Sequence, residues 1–293
     1  MTTTLPKNFF QIAQSILEKD HKLFLQNVKP VFTYPSHKIK GLFGIRIEGA
    51  QKVIVKNCNV ANLKSVGGPC QELSKIFDAQ PFFKTKHVAN PDGEDPSYRG
   101  NDIWGYESAA SDSCMFYDCI AKNIESYNGN PFGFELIADV RNTYLIRCMA
   151  DSITGYSDIL SSNLNLPSES YGFRVQRTDK QNYFIDCKAQ NVSAPRRSFG
   201  FAAEDCVDAH FKNCIANNIY SISSKDTNDI QRQKVAFGFN SEMSTGAEFL
   251  ECQATNIRID NERNSDFQTQ SIAAGIASTQ NSQNSFIHEC KIF

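Results

Sequence analysis

Two glutamates and two arginines carry the chemistry most readily read from this 293-residue chain: Glu107, Glu135, Arg46 and Arg174. Each lies two residues after the glycine of an apolar-Gly-apolar triplet, in FGIR, WGYE, FGFE and YGFR. If these triplets stack as neighbouring strands, Glu107 and Glu135 stand about 5 Å apart, with Arg174 beside Glu135. Arg46 neighbours Glu107 if the intervening insertion, 64–103, holds no extra coil. Two carboxyl groups about 5–5.5 Å apart match the spacing of a retaining glycosidase. Like charges that close can raise one pKa enough to make a general acid. The competing reading is a surface ladder, Arg-Glu-Glu-Arg, in which each carboxylate pairs with an arginine. Such pairs contribute about 0–1 kcal/mol. The row before each repeated Cys offers an equally tidy column, Asp118-Arg147-Asp186, with no chemistry attached.

Other constellations are weaker. The five histidines, His21, His37, His87, His210 and His288, are scattered, and GxSxG, HExxH and P-loop motifs are absent. Asp92, Glu94, Asp95 and Asp102 surround Gly93 in an acidic turn that offers oxygen ligands to Ca²⁺. The turn lacks EF-hand spacing and reads as solvated, so neither a metal nor a cofactor is expected. Trp104 and Tyr98, with Phe82 and Phe83, can stack on a sugar ring or pack a long loop down. Together with Arg46 and Arg174, Trp104 and Tyr98 are the candidate binding residues.

The elements that position these residues are set by a repeat. An apolar-Gly-apolar triplet is followed 14 or 15 residues later by Cys, seven times. The pairs are Gly44 and Cys58, Gly105 and Cys119, Gly133 and Cys148, Gly172 and Cys187, Gly200 and Cys214, Gly238 and Cys252, and Gly275 and Cys290. Four residues beyond Cys come Asn62, Asn123, Ser152, Asn191, Asn218 and Asn256, each followed by an apolar residue. Within a copy the apolar residues alternate, as in NYFID, which is the period of a strand. The closest copies are 28 residues apart, enough for a coil of three short strands and three turns. Stacked coils turn equivalent residues into columns: free Cys in the interior, and Asn amides bonding along a ladder. Disulfides within the Cys column are disfavoured, because parallel in-register Cβ vectors run side by side. The aromatics beside each Gly read as one column, Phe43 to Phe237, whose inward or outward direction stays open.

The G-apolar strand, the [ND]-C corner and the A-x-N-apolar strand resemble the repeats of right-handed parallel β-helix proteins, the pectin-lyase-like superfamily. The resemblance covers residues 41–293. Cys-rich members without an export signal also resemble β-helix paralogues of large DNA viruses of amoebae. The resemblance implies an all-β, right-handed parallel β-helix of about seven coils. It also implies a substrate groove beside the corner where the insertions 64–103, 154–170, 220–235 and 258–271 enter. The superfamily's catalytic elements (NTD, DD, GHG and RIK, or WxDH and RxPxxR) do not occur here. No catalytic residue therefore carries over.

Residues 1–40 read as a lead-in, with helical spacing over 8–28 that suits an amphipathic cap on the first coil. A membrane-surface or partner helix is the sharper alternative. The last coil has no cap in the sequence, which leaves it open to self-association. A net charge of −2 argues against nucleic acid as a partner, and no apolar run approaches a membrane span. MTTTLPKNFFQ lacks an apolar h-region, so a reducing intracellular compartment is expected, cytoplasmic or virion-associated. Two functions follow as expectations. One is a non-catalytic binding or structural β-helix, with carbohydrate or protein as partner and a role in virus or host interaction. The other is a carbohydrate-active enzyme, a glycoside hydrolase or polysaccharide lyase, working beside the inserted loops.

Overall fold

The computed structural model describes residues 42–64, 102–127, 129–156, 169–222, 234–260 and 271–293. The expected capping helix, Tyr98, Phe82, Phe83, Asp92, Glu94, Asp95 and the interiors of the four insertions lie outside the described residues. Every element described is a strand, and the 21 strands form three parallel seven-stranded sheets. The first sheet holds Leu42–Glu48, Ile103–Ala109, Pro131–Ile137, Glu169–Thr178, Arg197–Cys206, Val235–Glu242 and Ile272–Thr279, in that order. In every coil a short strand of the second sheet and then a strand of the third sheet follow. The arrangement fits a parallel β-helix of seven coils.

Each strand pairs with its counterpart one coil away, so the sequence columns become physical ones. Tyr106, Phe134, Phe173, Phe201 and Phe239 stack inside the coils with ring centroids 4.5–4.9 Å apart. Phe184, Phe211 and Phe249 form a second interior stack from the second sheet. Edge-to-face contacts such as Phe173 on Phe184 join the two stacks. The third sheet contributes Ala121, Ala150, Ala189, Ala216 and Ala254 to the interior, all buried.

That alanine column explains the glycines. A Cβ on Gly172 would lie 2.6 Å from the Gly200 carbonyl oxygen and 2.7 Å from the Ala189 Cβ. Backbone one coil away and the third sheet of the same coil leave no room for a side chain. The residue before each repeated Cys turns the chain with φ between 51° and 56°: Asn57, Asp118, Arg147, Asp186, Asn213, Glu251 and Glu289. This left-handed conformation favours Asn and Asp, which occupy four of the seven positions.

The seven repeated cysteines are free thiols, six buried and Cys290 half-buried. Each thiol from Cys119 onward donates to a carbonyl of the preceding coil; Cys187 reaches the Leu145 oxygen at 3.3 Å and Cys214 the Phe184 oxygen at 3.4 Å. Burial raises the pKa of Cys148 and Cys214 well above the usual thiol range. Outside, Asn123 donates to Asn62 at 2.9 Å and Asn218 to Asn191 at 2.6 Å. In the third copy Asp151 takes over as acceptor, 2.8 Å from Asn191 Nδ2.

Residues 65–101, 157–168, 223–233 and 261–270 each follow a third-sheet strand and precede the next first-sheet strand in the chain. Strands ending at Tyr156, Ile222 and Asp260 take up the first three residues of the expected insertions 154–170, 220–235 and 258–271. Coil-to-coil pairing extends those strands past the last repeated landmark.

Candidate functional site: a buried acid–base network

The aromatic residue before each glycine faces outward. Phe43, Trp104, Phe132, Tyr171 and Phe199 stack at 4.5–5.3 Å, apart from the interior stacks, and Phe237 tilts against Phe199. The residue two after the glycine faces the same way, since the Arg46 guanidinium lies 4.7 Å from the Phe43 ring centre. The glycine drops out of the ladder register and breaks the alternation, so residues three apart share one face. Aromatic rings and charges thus form one layer on the outside of the first sheet.

The four residues singled out by sequence come together. Arg46 and Glu107 are Cα partners, as are Glu107 and Glu135, and Glu135 and Arg174. Arg46 Nε lies 2.9 Å from Glu107 Oε2, and Arg174 Nη1 lies 3.2 Å from Glu135 Oε1. The ladder is not a surface feature: Glu107 is 6 % exposed and Glu135 2 %. Trp104 Nε1 donates to the other oxygen of Glu135 at 2.5 Å. Both faces of the Trp104 indole are occupied, by Phe43 and Phe132, which leaves neither for a sugar ring.

The network reaches further than the sequence indicated. Arg174 also binds Glu204 through Nε at 2.8 Å and Nη2 at 2.5 Å, and its guanidinium lies over the Tyr171 ring at 4.7 Å. Tyr171 donates its hydroxyl to Glu169 at 2.7 Å. Arg197 contacts Glu169 at 3.3 Å and Glu242 at 2.6 Å, and lies over Phe199. Burial works against the charge of Arg174, but Glu204, Tyr171, Glu135 and Glu169 hold the guanidinium more firmly protonated than free arginine. The same balance acts on Arg197, through Glu169, Tyr171 and Glu242. Burial and the nearby Glu169 and Glu204 carboxylates push the Tyr171 phenol well above its usual range. Glu169, Arg197, Glu204 and Glu242 were missed because they fall outside the row two after the glycine. The signal available was their charge on strands whose neighbours carry the opposite sign.

The arrangement holds charge in place. Arg174 bridges carboxylates two coils apart, Glu135 and Glu204, and packs its flat face on an aromatic column. Among the described residues no cluster of three His, Cys, Asp or Glu could hold a metal ion. Asp102, from the acidic turn, is buried and accepts the Asn130 amide at 2.7 Å. A separate open cleft of about 360 Å³ lies at the corner between the first and second sheets, lined by Asp139, Arg177, Asp179, Asp205 and Met243 among others. The Cys206 thiol on its wall is pushed up to about 12 by burial, which disables it as a nucleophile.

No protein-family model matches the chain. No curated protein matches it either.

Proposed function

We propose that this chain is a non-catalytic binding or structural protein, a right-handed parallel β-helix of the pectin-lyase-like kind that presents its insertions to a partner. One observation carries the reading: Glu107 and Glu135 are each ion-paired to an arginine within a buried network. A retaining glycosidase needs one carboxylate as nucleophile and one as acid, both open to the sugar. Here the charges are used to join coils, and the aromatic faces beside them are used against one another.

The binding face in this reading is the corner between the third and first sheets, where all four insertions enter. Loops grafted at one corner of a rigid stack are a common way to build a recognition surface. Carbohydrate or protein is the partner class, and a reducing compartment suits the column of free thiols. The resemblance to viral β-helix paralogues belongs to the same proposal.

The test screens the chain for binding on glycan arrays and for hydrolysis of uronate and neutral polysaccharides. A variant with residues 70–98 replaced by a short Gly-Ser linker runs alongside. Binding that disappears in the linker variant, without turnover in either protein, is the expected result. Polysaccharide turnover abolished by Glu107→Gln in a protein that still folds would overturn the reading in favour of the hydrolase.

A further inference from the structure

The cleft at the corner between the first and second sheets lies mid-stack, across the third to sixth coils. First-sheet strands leave this corner through residues in the left-handed conformation. Asp139, Arg177, Asp205 and Met243 occupy it, one per coil, with φ between 47° and 61°. Successive coils are about 4.8 Å apart, so the four form one rim.

That rim is acidic and partly apolar. Three aspartates, Asp139, Asp179 and Asp205, stand against one arginine, Arg177. Asp179 lies 3.7 Å from Arg141 Nε. Asp139 and Asp205 have no side-chain hydrogen bond or ion pair among the described residues. Beside them Val207 is 38 % exposed and Met243 52 %. Carboxylates next to an apolar shelf suit a cation on an aliphatic stem, which covers the shelf while its charge meets the carboxylates. Among the described residues no trio of His, Cys, Asp or Glu is arranged for a metal ion, so an organic cation is the better match.

The floor of the cleft is polar and unsatisfied. Thr178 lines it and is 3 % exposed, and its Oγ1 has no hydrogen-bond partner. The next residues in the same row are satisfied. Cys206, the Cα partner of Thr178, contacts the Ser244 hydroxyl at 3.4 Å, and Ser244 donates to the Glu242 carbonyl oxygen at 2.9 Å. A buried hydroxyl left unpaired is costly, and an N–H donor entering the cleft would remove that cost.

Shape selects the form of the cation. Seven of the nine residues lining the cleft are exposed. A free small molecule needs most of its surface enclosed. An open notch instead takes one side chain projecting from a larger partner.

We infer that this cleft binds a basic side chain, lysine or arginine, of a partner polypeptide. The charged head sits among Asp139, Asp205 and Thr178 and donates to the Thr178 hydroxyl, and the stem lies on Val207 and Met243. Arg177, between the two aspartates in the row, repels a second cation. The site is separate from the corner where the insertions enter, so neither surface depends on the other.

Chemical-shift titration of the ¹⁵N-labelled full chain with capped pentapeptides Ala-Val-X-Val-Ala tests this, X being lysine, arginine or norleucine. The lysine and arginine peptides should shift the Arg177, Thr178 and Val207 amides, and the norleucine peptide should bind about tenfold more weakly or worse. Asp139→Asn with Asp205→Asn should weaken basic-peptide binding by about tenfold or more. Asp118→Asn, at the corner between the second and third sheets, should leave it unchanged. Thr178→Val should weaken binding without lowering the unfolding midpoint, since the hydroxyl has no native partner to lose. No shifts at millimolar basic peptide, norleucine binding as tightly, or binding indifferent to the paired asparagines would each overturn the proposal. So would tighter binding of spermidine than of either basic peptide, which would assign the cleft to a free amine.

Discussion

Ala216 and Ile292 hold the same place in the repeat, one inside the third sheet and one at its end, yet Ala216 is 0 % exposed and Ile292 61 %. Gly172 and Gly275 differ in the same way. Around Gly172 the obstacles are backbone oxygen and an alanine Cβ; around Gly275 they are the side-chain carbons of the exposed Ile292. The repeat lays down one skeleton in all seven coils, but what a residue contributes depends on whether coils lie on both sides of it. In a solenoid each unit is stabilised through its neighbours, so middle and last coils should respond differently to the same substitution.

The largest contrast is expected in the interior stacks. Phe201→Ala removes a ring held between Phe173 and Phe239 and should cost about 3–5 kcal/mol in equilibrium unfolding. Ile287→Ala, at the half-exposed end of the other stack, should cost under about 1 kcal/mol. Equal losses would break the comparison. A smaller contrast follows for the glycines. Gly172→Ala should cost about 1–3 kcal/mol or more by overpacking, and Gly275→Ala much less, since Ile292 can swing away.

The smallest effect sharpens the account of the outer ladder. Burial raises the Asp151 pKa, but hydrogen bonds from Asn191, Gln190 and Ser152, with the Lys122 charge, outweigh it and lower the value below 3.8. A depressed carboxylate contributes stability above its unfolded pKa and loses it as pH falls through the folded one. Stability measured against pH should therefore fall more steeply below about pH 4 in the parent than in Asp151→Asn. Parallel curves would show that Asp151 does not replace asparagine in the ladder.

Much of this was legible in the chain because columns in a stack repeat their spacing. Gly-to-Cys intervals located all seven coils, and Arg46, Glu107, Glu135 and Arg174 emerged as register neighbours. The direction of the Phe43-to-Phe237 column was not legible. Alternation assigns faces only while every residue stays in the ladder, and each repeated glycine leaves it. Burial of the charged row was likewise hidden, because outward-pointing residues ordinarily meet water. The second carboxylate on Arg174 escaped for a geometric reason: Glu204 lies one coil on and two residues along, within reach of a long side chain but off the register row.

Glu135 and Arg174 act as structural partners, and a double-mutant cycle in equilibrium unfolding tests that most directly. Arg174→Met alone should cost about 3–5 kcal/mol, because it leaves Glu135 and Glu204 buried without their cation. Adding Glu135→Gln should recover part of that loss, giving a coupling of about 0.5–3 kcal/mol. Strictly additive losses, in a chain whose polysaccharide turnover vanishes with Glu135→Gln, would contradict the account and make the carboxylate catalytic.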